Sequence, residues 1–110
     1  MHRPLWTDKP TRAGIDRRQE MIAIRAKLLS AGLTGYDVDR RYTLPKGTTT
    51  ATLQKPNVAG ERAIAAALGT KAHFLWPSRY RPSGQRRSPQ PQENYAEPPT
   101  MRQRQKEAQV

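Results

Sequence analysis

The sequence predicts an all-α chain of five short helices with tight connections, flanked by irregular tails. Three observations carry this. Apolar side chains recur at helical spacing within residues 16–81. Capping residues and stops punctuate those runs in order. No stretch alternates apolar and polar side chains as a half-buried strand does.

The first helix is expected to open at Asp16, a capping residue with Gln19 three positions on. Met21, Ile24 and Leu28 form its stripe, widened by Ile22 and Leu29. Gly32 suits the left-handed position that ends a helix. Thr34 opens the second helix, with Asp37 three positions on and Leu33 stapled to Val38 across the start. Val38 and Tyr42 share one face. Pro45 disfavours helix at Leu44 and breaks the run. A threonine-rich third helix of weak intrinsic propensity runs from about Lys46 to Leu53. After the loop Lys55-Pro56-Asn57, the fourth helix runs from Val58 to Leu68, with Gly69 as its stop. Thr70 caps a last turn from Lys71 to Leu75, and Pro77 ends it.

Composition confines the core to that middle zone. Only 35% of the 110 residues are apolar. Residues 1–15 read as a flexible arm with one bulky side chain, Trp6. Residues 82–110 hold five prolines and six glutamines. Such a basic Pro/Gln-rich tail buries too little apolar surface to offset its chain entropy, so disorder is expected there.

The net charge of +11 favours an anionic partner, nucleic acid before a membrane surface. No apolar run approaches the roughly 18–20 residues that span a bilayer, and the N-terminus lacks a signal core. A cytoplasmic protein without a membrane partner is expected. The absence of cysteine excludes disulfides and thiolate metal sites. His2 and His73 stand without paired carboxylates, so no metal, cofactor or catalytic group is expected. Pro45-Lys46-Gly47-Thr48-Thr49 holds only a fragment of a phosphate loop.

The second and third helices carry the functional signal. A helix-turn-helix needs apolar residues on both helices and just after the turn, to lock them at a steep angle. Val38, Tyr42, Leu44 and Leu53 supply them. Three positions depart: Asp39 stands where alanine is usual, Thr43 where glycine is usual, and Thr49 where an aliphatic is usual. In this geometry Lys46, Thr48, Thr50, Ala51 and Gln54 are the candidates for base contact. Thr34, Gly35 and Tyr36 open the second helix, whose amides suit a phosphate. Arg40, Arg41, Lys55, Arg79 and Arg81 complete the phosphate candidates. Tyr42 is expected in the core.

A resemblance adds to this. The stretch Ala66-Ala67-Leu68-Gly69-Thr70-Lys71-Ala72-His73-Phe74-Leu75-Trp76-Pro77-Ser78-Arg79-Tyr80 resembles the C-terminal signature of the Ner/Nlp family. These are the Ner-type repressors of Mu-like phages and their bacterial relatives. The family pattern reads close to A-x-A-L-x-T-x-x-x-x-W-P-S-R-Y, and Trp76 to Tyr80 match its end outright. Gly60-Glu61 and Ile64-Ala65 are similar to its G-E-x-x-I-A, and Thr48 and Leu53 fall on its third-helix run T-T-L-A-N-A-L. The resemblance covers about residues 20–81. It implies a lambda-repressor-like helix-turn-helix domain that binds double-stranded operator DNA and regulates transcription as a repressor, with Trp76 as an anchor packed in the core under the last turn.

The sequence departs from the family in Thr49-Thr50-Ala51-Thr52, in Asn57-Val58-Ala59 and in its long basic tail. Arg79, Arg81, Arg86 and Arg87 are expected to form an arm along the DNA backbone or in a minor groove. No heptad repeat is present, so a homodimer is expected to be weak or assembled on DNA. Two other readings stand beside this one. One is a nonspecific nucleic-acid binder coating its partner with basic core and tail. The other is an adaptor recruiting proteins through the Pro/Gln tail.

Overall fold

Each predicted helix forms, and its ends show why. The structure, a computed structural model, describes residues 12–95, with side chains from Asp16 onward. Residues 1–11, with Trp6, and 96–110, the far part of the tail, lie outside the described residues. Among the described residues there are five α-helices and no strand. No helix among them is long and apolar enough to cross a membrane.

Helix α1 spans Arg12–Ser30. It begins before Asp16, which lies inside the helix and is not its cap. Residues 12–15, expected in the N-terminal arm, belong to this helix. Ile24 and Leu28 face the core, while Ile22 and Leu29 remain exposed. The Leu33 amide donates to the Leu28 carbonyl at 2.9 Å and closes the helix end.

Helix α2, Gly35–Arg41, starts with the expected capping box. The Asp37 amide donates to the Thr34 hydroxyl and the Thr34 amide to the Asp37 carboxylate. Helix α3 is Thr48–Gln54 and α4 is Val58–Ala67. The Asn57 side chain caps α4 by accepting from the Gly60 amide at 3.0 Å. Helix α5, Ala72–Leu75, is capped at Lys71 without a side-chain bond, so Thr70 does not fill the role expected of it.

Val38, Ile64 and Trp76 are nearly inaccessible to water at the centre, with Ala63, Ala65, Leu75 and Tyr80 around them. Each fully buried aliphatic of this size contributes about 1.5–3 kcal/mol. Trp76 sits in the core, as expected.

Residues 82–95 depart from the disorder expected over residues 82–110. Residues 79–87 double back, with an antiparallel bridge between Tyr80 and Arg86. The Arg81 amide donates to the Gln85 carbonyl, and the Arg87 amide to the Arg79 carbonyl. The strap then lies against α1 and ends in a 3-10 turn at Gln92–Tyr95. Gln90 and Asn94 are buried. The Gln90 amide group donates to the carbonyls of Arg79 and Arg87. That of Asn94 donates to the Ser78 carbonyl and to Gln90. Arg17 reaches Asn94 from α1, and Glu20 accepts from both the amide and the hydroxyl of Ser78. Polar side chains that satisfy backbone carbonyls order this segment. Its small apolar content therefore misleads.

Truncation after Arg81 is expected to destabilise the domain. It removes Arg86 from a buried ion pair and uncovers the carbonyls that Gln90 satisfies. A loss of about 3–5 kcal/mol in urea unfolding is expected. An unchanged midpoint would show that the strap is ornamental.

Candidate nucleic-acid interface

The junction of α2 and α3 follows the expected clamp in its apolar part. Val38 is fully buried, and Tyr42, Leu44 and Leu53 pack against the same core. Two of the three departures prove to be parts of one arrangement, and the third is a turn residue. Asp39 and Thr49 are buried at 4% and 1% exposure and face each other. The Thr49 amide and hydroxyl donate to one Asp39 oxygen at 2.8 and 2.7 Å. The Gly47 amide donates to the other at 2.8 Å. Thr43 adopts φ 56°, the left-handed conformation for which glycine is usual.

A carboxylate is thus held out of water by three donors from the start of α3. Burial pushes the Asp39 carboxyl up. The Thr49 hydroxyl and the Thr49, Gly47 and Thr48 amides outweigh it and hold the group below the usual carboxylate range. The charged form is the one that the fold binds.

Helix α4 fixes the other flank of α3. Thr52 is fully buried and donates to the Thr48 carbonyl at 2.7 Å. A Cβ on Gly60 would lie 1.8 Å from the Thr52 hydroxyl oxygen, so only glycine permits this approach. Thr49, Thr52 and Leu53 therefore face inward. Thr50, Ala51 and Gln54 are left exposed. Lys46 and Lys55 are exposed at the two ends of the helix. Thr48 is half-buried, and its hydroxyl donates to the Pro45 carbonyl at 2.6 Å.

Helix α2 runs beside this face. A Cβ on Gly35 would lie 3.2 Å from the Thr50 hydroxyl oxygen. Arg40 is exposed with its guanidinium 5.6 Å from the ring centre of Tyr36, itself 60% exposed. Arg41 stands 5.8 Å over the ring of Tyr42. Such stacking orients a guanidinium without neutralising it. At the start of α2, the capping box engages the amide and hydroxyl of Thr34 and sets the Asp37 carboxylate beside Thr34, Gly35 and Tyr36.

Of the predicted phosphate contacts, Arg40, Arg41, Lys55 and Arg81 are exposed. Arg79 is not. It is buried at 4% exposure, 3.3 Å from the Glu61 carboxylate and stacked 5.1 Å over Trp76. Arg86, expected in a DNA-seeking arm, donates to Glu61 through two nitrogens at 3.1 and 3.3 Å.

Glu61 was legible only as half of a G-E pair. It is fully buried and accepts further bonds from the Tyr80 hydroxyl and the Asn57 amide. Burial pushes its carboxyl up, and Arg86, the Asn57 amide, Tyr80 and Arg79 together hold it below the usual range. Tyr80 is pushed up to about 12, by burial and by its bond to Glu61.

The family profile described as winged helix-turn-helix DNA-binding matches residues 18–92. The chain belongs to this family. The matched region takes in the helix pair, the Glu61 cluster and most of the strap, so the family unit extends past residue 81. No curated protein and no solved structure matches the chain significantly.

Asp39 and Glu61 have folded-state values below their unfolded ones. Each adds stability above the ordinary carboxylate range and loses it as the pH falls through the folded value. Glu20, raised by burial, acts in the opposite sense. Stability is expected to drop below about pH 4. Asp39→Ala leaves two amides and a hydroxyl unpaired, at a cost of about 1–3 kcal/mol at neutral pH. It should also flatten the acid decline seen in urea titrations between neutral and acid pH. An unaltered acid decline would mean that Asp39 is not held as a charged bridge.

Proposed function

We propose that this protein is a sequence-specific transcription regulator, a Ner-like repressor, that inserts α3 into the major groove of operator DNA. The observation that carries this is the division of α3 into two faces. Thr49, Thr52 and Leu53 are held from behind, while Thr50, Ala51 and Gln54 stand bare in front. A short helix locked on one side and exposed on the other suits a groove roughly 12 Å wide.

In this reading Lys46, Thr48, Thr50, Ala51 and Gln54 meet base edges. Arg40, Arg41, Lys55 and Arg81 meet phosphates and set the register without reading sequence. The net charge of +11 supports association driven by counterion release. The W-P-S-R-Y resemblance supports the repressor assignment through the framework, since Trp76, Arg79 and Tyr80 of that run are buried.

Binding to a duplex selected from a random library, and to its scrambled version, tests the reading by fluorescence anisotropy across a salt series. Gln54→Ala should lower discrimination between the two by about 1–3 kcal/mol. Arg40→Ala should weaken both alike and reduce the salt slope by about 1. Equal loss on both duplexes for Gln54→Ala would contradict base readout by α3 and favour a nonspecific binder.

A further inference from the structure

We infer that the exposed face of α3 selects A·T base pairs at the centre of its target. The inference rests on the DNA-reading role proposed above and follows from what the fold removes from that face. Helix α3 has the sequence TTTATLQ, with no cation and no carboxylate. Three of its four threonines lose their hydroxyls to internal bonds: Thr48 to the Pro45 carbonyl, Thr49 to Asp39 and Thr52 to the Thr48 carbonyl. Leu53 turns to the core. What remains in front is the Thr50 side chain, the Ala51 methyl and the Gln54 amide.

These groups span five residues, four helical steps of about 1.5 Å that carry them about 6 Å along the axis. That matches roughly two base-pair steps at about 3.4 Å each. Glutamine pairs in a bidentate way with the N6 and N7 edge of adenine, and threonine and alanine methyls pack on the thymine methyl. Guanine is best read by a forked or pointed cation, and cytosine by a carboxylate acceptor. The face offers neither. The nearby carboxylates are engaged: Asp39 inside the α2–α3 junction, Asp37 in the capping box and Glu61 among Arg79, Arg86 and Tyr80. Lys46 and Lys55 flank the helix, so cations act at the edges of the site and leave its centre to methyls and one amide.

Selection of the full chain on a random duplex library, followed by sequencing, tests this. The enriched core should contain at least two adjacent A·T pairs. Replacing thymine by deoxyuridine at those positions removes only the methyl and should weaken binding about fourfold per methyl. Gln54→Arg should move the preference at one position from adenine to guanine while the fold, checked by circular dichroism, is kept. A G·C core, or indifference to deoxyuridine, overturns the inference. Tight binding without any enrichment overturns it too, but leaves DNA binding in place. Failure to bind any duplex overturns the inference together with the function on which it rests.

Discussion

The Asp39 carboxylate lies where α2 meets α3, out of contact with water, and the position of α3 depends on what surrounds it. A buried charge without partners costs several kcal/mol. Here the Thr49 hydroxyl, the Thr49 amide and the Gly47 amide point at it. Those donors belong to the start of α3, which has no side-chain cap of its own. The carboxylate therefore does two things at once. It satisfies amides that a helix start leaves open, and it ties them to the preceding helix. An apolar pair in these positions would fix the distance between the helices. The polar pair fixes distance and direction, because hydrogen bonds are directional.

The second buried acid works in the same way on α4. Glu61 gathers Arg79, Arg86, Tyr80 and the Asn57 amide. It thereby joins the first turn of α4 to the doubled-back segment after α5. Two arginines of a strongly basic chain are drawn inward, while Arg40, Arg41, Lys46, Lys55 and Arg81 stay exposed on and beside α2, α3 and the strap. In a chain with 20 Lys and Arg against nine Asp and Glu, a few acids suffice to decide which cations stay on the surface.

Much of this was legible beforehand. The capping box at Thr34 and the apolar clamp of Val38, Tyr42, Leu44 and Leu53 followed from spacing, because local hydrogen bonding and apolar periodicity are short-range signals, and the buried Trp76 followed from the W-P-S-R-Y resemblance. Asp39 and Thr49 were legible only as two separate departures. Their meaning lies in a contact across ten residues, which no local pattern encodes. The strap was misread for a related reason. Its order comes from Gln90 and Asn94 satisfying backbone carbonyls, and composition records such side chains only as polar. Arg79 was placed on the phosphates because a cation near a helix end is usually solvated, and the buried partner that withdraws it lies 18 residues earlier.

The dependence of α3 on Asp39 is tested most directly by a double-mutant cycle on unfolding free energy, with Asp39→Ala, Thr49→Val and the pair. Asp39→Ala strands the Thr49 hydroxyl, and Thr49→Val takes one of three donors from Asp39, so the combined loss should fall short of the sum of the two single losses by about 1–3 kcal/mol. Losses that add to within about 0.5 kcal/mol would show that the two side chains do not act on each other across the helix junction.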